Sequence, residues 1–66
     1  MEINTDKIDR RIKAMKELCP YPNTVSAWVL WRMGFRHGGE GHPISPNGTL
    51  AYYEGYKAGD DWARAN

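Results

Sequence analysis

An all-α mini-domain of three short helices is the fold class this sequence predicts, on three observations. Apolar residues recur at helical spacing in the first third of the chain, at Ile8, Ile12, Met15 and Cys19. Two later stretches share one pattern, Trp31-x-x-Gly34-Phe35-Arg36-x-Gly38 and Tyr52-x-x-Gly55-Tyr56-Lys57-x-Gly59, at a constant offset of 21 residues. Proline and glycine punctuate the gaps between these segments, as they do at helix ends and turns.

The first helix is expected over about 5–19. Asn4-Thr5-Asp6 offers a cap and an early acidic residue, both favourable at a helix start. The stripe Ile8, Ile12, Met15, Cys19 should face a core, with Asp6–Arg10 and Asp9–Lys13 as i,i+4 pairs on the far side. Pro20 and Pro22 stop it. In Cys19-Pro20-Tyr21-Pro22 the two prolines stiffen the link, the thiol faces the core, and Tyr21 packs across the helix ends.

A second helix is expected over about 24–37, closed by Gly38-Gly39. Trp28, Trp31 and Phe35 fall on one side, while Val29, Leu30 and Met33 spread apolar surface around the rest. Only Arg32 and Arg36 mark a polar strip. A helix that is apolar nearly all round is central in its fold or partly covered by a partner. The stretch 39–46 is rich in turn formers and is expected as a loop.

The third helix is expected over about 47–64, starting between Pro46 and Thr49. Glu54, Lys57, Asp60, Asp61 and Arg64 share one side, with Ala51, Tyr52, Gly55, Tyr56, Gly59, Trp62 and Ala63 on the other. A glycine inside a helix costs roughly 0.5–1 kcal/mol relative to alanine. The repeated glycines therefore call for a packing reason. Helices two and three are expected to cross at these Gly-x-x-x-Gly notches.

Sixty-six residues make one domain, which buries only about 60% of its unfolded surface and needs dense packing or another support. The single cysteine excludes an internal disulfide, and Cys19, His37 and His42 lack a zinc spacing, so neither metal nor cofactor is expected. Three Trp, four Tyr and one Phe supply contact area for packing or for a homodimer. No apolar run approaches membrane-span length and no export signal is visible, which points to the cytoplasm and to no membrane partner.

Catalytic patterns are poorly represented. Gly38-Gly39-Glu40-Gly41-His42 lacks the lysine and the preceding strand of a phosphate-binding loop. A Cys19–His37 pair would have nothing to orient the imidazole. Asp60 and Asp61 diverge by about 100° around a helix and cannot easily share one substrate atom. The expectation is a binding module, not an enzyme.

Contact chemistry is better supplied. The net charge is only +1, but residues 1–36 hold seven Lys/Arg against four Asp/Glu, and residues 37–66 hold two against four. Arg32 and Arg36 lie four apart beside Trp28 and can join Arg10, Arg11, Lys13 and Lys16. Arginine beside aromatic rings stacks on bases and pairs with phosphates. The same residue types dominate protein interfaces.

With Cys19-Pro20-Tyr21 followed by Trp31-x-x-Gly34-Phe35, and Gly55-Tyr56-Lys57-Ala58-Gly59 further on, the chain resembles the ribosome modulation factor family of very small bacterial and phage-borne proteins. The similarity covers about half the chain. Here the Gly-Tyr-x-Ala-Gly element follows Cys-Pro-Tyr, whereas in the family it precedes it. The resemblance implies a helical module that docks on the ribosome or its rRNA in the bacterial cytoplasm and modulates translation. In it Cys19, Pro20, Tyr21, Trp31, Gly34, Phe35, Gly55, Tyr56 and Gly59 are turn and packing residues. The other expectation is a phage-type inhibitor or adaptor that binds a host protein.

Overall fold

Three helices, α1 (Thr5–Leu18), α2 (Ser26–Glu40) and α3 (Leu50–Ala65), make up the fold. They are seen in a computed structural model that describes residues 5–46 and 48–65, with no strand among them. The expected cap at Asn4 and the position 47 expected to open α3 lie outside the described residues.

α1 has Asp6 in its first turn and Lys16 in its last, each at the pole its charge favours. Its apolar stripe does not face the core throughout. Met15 is buried, but Ile8 and Ile12 stay 41% and 37% exposed. The reason is that α1 meets only α2 closely, chiefly through Met15 and Arg11. Neither Asp6–Arg10 nor Asp9–Lys13 closes into an ion pair, as expected where an exposed pair gains at most about 1 kcal/mol and costs side-chain freedom.

α2 starts later than the sequence predicts, at Ser26. Asn23 and Thr24 are taken up by a turn in which Val25 N–H donates to the Pro22 carbonyl (3.3 Å). Val25, extended, stands at the cap without a side-chain hydrogen bond. The helix also runs on through Gly38 and Gly39 to Glu40. It is Gly41, at φ 76°, that ends it: Gly41 N–H reaches the Gly38 carbonyl (3.3 Å) and His42 N–H the His37 carbonyl (2.9 Å). This paired closure over a left-handed residue satisfies carbonyls the helix leaves open. α3 begins at Leu50 because Thr49 caps it, its hydroxyl accepting from Tyr52 N–H (3.4 Å) and its carbonyl from Tyr53 N–H (3.0 Å).

Helices α2 and α3 form the body of the molecule, and their glycines explain how. A β-carbon on Gly34 would sit on the Tyr52 carbonyl oxygen, and one on Gly38 on that of Tyr56. Reciprocally, β-carbons on Gly55 and Gly59 would sit on the carbonyl oxygens of Trp31 and Phe35. Partner numbers rise together, so the two helices run parallel. Each contact also maps onto its counterpart by the same 21-residue offset that relates the motifs. The sequence repeat is thus the signature of a local twofold axis along the pair. Backbones this close favour dispersion and weak Cα–H···O contacts, both of which a side chain would prevent.

A parallel pair needs a return segment, to which residues 41–46 and 48–49 belong. Three tyrosines of α3 pin it as it runs back. Tyr56 OH donates to the His42 carbonyl (2.5 Å), and Tyr53 OH to the Pro46 carbonyl (3.1 Å). The Tyr52 hydroxyl accepts from Ser45 N–H (3.2 Å) and shares a hydrogen bond with His37 Nδ1 (2.9 Å). At the centre Phe35 is fully buried, stacked with Trp31 (5.3 Å, 24°) and tilted against Trp62 (6.1 Å, 45°). On the outer side of α3, Asp60 pairs with Arg64 (3.1 Å).

Candidate functional site

Because α2 gives α3 its glycine face, the residues at 28, 32 and 36 turn away from that contact. They lie four apart and so stack along one side of the helix. The Arg32 guanidinium sits over the Trp28 ring, 4.3 Å from its centroid. Val29 and Met33 make the neighbouring row, 50% and 40% exposed. α1 faces both rows with Arg11, Ile12 and Met15. Between the two helices lies a groove of about 370 Å³ with an aliphatic floor of Ile12, Met15, Val29 and Met33. Trp28 and the three arginines 11, 32 and 36 complete its lining, which among the described residues contains no carboxylate.

Each arginine is held differently. Arg11 lays its stem over Gly39, where a β-carbon would stand 3.2 Å from its Cδ. Its Nη2 pairs with Glu40 (3.1 Å), whose other oxygen meets His42 Nε2 (3.2 Å). This clamp ties α1 to the end of α2 and offsets the charge of Arg11. Arg36 is exposed and makes no ion pair among the described residues. Arg32 is half-buried, and its Nε is shut off from solvent without a hydrogen-bond partner. An unsatisfied buried donor costs on the order of 1–3 kcal/mol, and more when charged. Stacking on Trp28 returns roughly 0.5–2 kcal/mol at most. That Nε is closed to a ligand as it is to water, so the outer guanidinium nitrogens of Arg32, together with Arg36, are the donors that can meet an anion in the groove.

Of the contact residues expected from the sequence, the fold brings Arg11, Trp28, Arg32 and Arg36 together around this groove. Arg10, Lys13 and Lys16 stand exposed on α1 and do not line it. Sequence reasoning missed the floor. Val29 and Met33 at i,i+4, one position beyond Trp28 and Arg32, were the available signal. The partnership of Arg11 with Gly39 and Glu40 left no signal, since it joins distant segments.

Other residues singled out in the sequence make contacts within the scaffold. Cys19 is half-buried and donates to the Tyr21 carbonyl (3.6 Å), while the Tyr21 hydroxyl donates to Glu54 (3.2 Å) and so links the inter-helix turn to α3. Partial burial first, and then the Glu54 carboxylate, raise the Tyr21 phenol above its ordinary pKa. Cys19 and His37 are engaged with separate partners and do not form a thiol–imidazole pair. His37 and His42 meet edge to face (5.8 Å, 76°) beside Tyr52. Among the described residues no three acidic, His or Cys side chains gather as a metal site, and no helix is long and apolar enough to cross a membrane.

Comparison with known proteins found no matching family model, no matching characterised protein and no matching solved structure.

Proposed function

We propose that this chain acts by contact rather than catalysis, docking on RNA through the α1–α2 groove, with the ribosome as its RNA-bearing target. One observation carries the reading. Among the described residues the groove is lined by no carboxylate and by three arginines, whose guanidinium groups are charged donors, one of them stacked on Trp28. Phosphates accept such donors in short, charge-assisted hydrogen bonds, and arginine is the side chain best shaped for that geometry. Exposed Arg10, Lys13 and Lys16 extend positive charge along α1 beside the groove. The motif resemblance to ribosome modulation factors supplies the reason for favouring the ribosome among RNA targets.

Co-sedimentation with bacterial ribosomes tests this directly. The chain should travel with the particles at low salt and be released by ribonuclease. Arg32→Gln/Arg36→Gln should remain in the supernatant while keeping its helical circular dichroism.

A second reading, an inhibitor or adaptor that binds a host protein, rests on the groove floor. Ile12, Met15, Val29 and Met33 would accept the apolar side of an acidic partner segment. Capture that survives ribonuclease and moderate salt would favour it.

A further inference from the structure

We infer that the groove is a subsite for a single unstacked nucleotide, taking the base on its aliphatic floor beside Trp28 and the adjoining phosphate on Arg32 and Arg36. The inference rests on the RNA reading above and names what part of an RNA the groove would take. A ligand for this place must satisfy three features at once. The floor of Ile12, Met15, Val29 and Met33 wants an apolar body. The Arg32–Trp28 stack offers flat, delocalised surface, which favours another planar ring over an aliphatic chain. The outer guanidinium nitrogens of Arg32 and the exposed Arg36, which makes no ion pair among the described residues, want an anionic acceptor next to that ring. A nucleotide joins a planar ring to a phosphate across one sugar, and so meets all three.

Size points the same way. At about 370 Å³ the groove lies at the low end of small-molecule sites, which run from roughly 300 to 1,000 Å³. Along α2 its lining runs from Trp28 to Arg36, only two helical turns. A partner helix about 10 Å across would stand largely outside it. Paired duplex presents its phosphates outward and its bases stacked inward, leaving the floor unused. The fit is to one base out of its stack, as occurs in single-stranded loops and bulges.

The test titrates the full chain with adenosine 5′-monophosphate, with inorganic phosphate, with adenosine and with a short single-stranded RNA, read by backbone amide shifts. The monophosphate should shift amides lining the groove, around Ile12, Val29 and Arg36. It should bind about tenfold more tightly than phosphate or adenosine alone, as when ring and anion are recognised together. Arg32→Gln and Met33→Glu should each weaken it about tenfold with circular dichroism unchanged, the second by adding a negative charge to the floor without removing an arginine. Phosphate binding as tightly as the monophosphate would overturn the inference in favour of a simple anion site. RNA that shifts only outer α1 residues such as Arg10 and Lys13, with no groove response to the monophosphate, would overturn the subsite and leave RNA docking standing. Response to an acidic amphipathic peptide, with none to the monophosphate or the RNA, would overturn both.

Discussion

At the scale of single residues, Arg32 concentrates the argument. Its charge is half-buried, its plane is committed to Trp28, and one donor is left without an acceptor. Its place beside Trp28 and Arg36 was legible in the sequence from i,i+4 spacing. The burial of its Nε was not, because spacing along a helix does not say which side-chain atoms lose their water. Lysine would keep the charge but not the planar stack or the fixed fork of donors. Arg32→Lys is therefore expected to lose most of the RNA affinity that Arg32→Gln loses, while both melt within about 1 kcal/mol of the parent. An Arg32→Lys variant that binds as the parent does, in an anisotropy titration, would reduce the residue to a point charge. Gly39 makes a contrasting case. The atom nearest an added β-carbon is the flexible Arg11 stem, so Gly39→Ala is expected to melt no lower than the parent, with up to about 0.5–1 kcal/mol gained from helix propensity.

At the scale of elements, the two repeated motifs decide the fold. Their offset was legible in the sequence, as was the expectation that glycines mark a close crossing. Their direction was not. Glycines four apart permit both an antiparallel hairpin and a parallel pair, and the choice lies with the connection. Segment 41–49 can return along the helices because an extended chain covers roughly 3.3 Å per residue, and because Tyr52, Tyr53 and Tyr56 supply hydroxyls to pin it. Helix ends were misjudged for a related reason. Gly38 and Gly39 look like terminators, yet each occupies a tight place inside α2, and the stop falls to Gly41 with its positive φ. At Gly34 and Gly55 the obstacle is backbone, which cannot swing aside. Gly34→Ala and Gly55→Ala should each destabilise by about 2 kcal/mol or more, since overpacking outweighs a propensity gain of roughly 1 kcal/mol. Urea midpoints measure the effect, and a rise in either variant would refute the close parallel crossing.

At the scale of the whole molecule, the chain divides into a tightly packed pair, α2 with α3, and a helix that leans on it. α1 contributes Met15 to the core and Arg11 to the Glu40 clamp, and leaves Ile8 and Ile12 half in water. The expectation of a homodimer came from a surplus of aromatic rings. In the fold Trp31, Phe35 and Tyr52 are buried and the other rings half-buried, and the large apolar side chains left exposed are aliphatic. A homodimer that used Ile8, Ile12, Val29 and Met33 would cover the groove. Sedimentation velocity should show any self-association to be reversed by single-stranded RNA; a dimer that persists with RNA bound would place its interface elsewhere.

The charge imbalance between the two halves of the chain was legible in the sequence, and it converges on one face of the fold through Arg11, Arg32 and Arg36. The most direct measurement of the central claim, that this face docks on RNA, is the salt dependence of single-stranded RNA binding by the parent and by Arg32→Gln/Arg36→Gln. One phosphate held by Arg32 and Arg36 contributes about −0.7 to the slope of log affinity against log salt, so the double variant should bind more weakly and with a slope shallower by about 0.7. Absence of RNA binding at low salt, or the same slope and affinity in the double variant, would contradict the account.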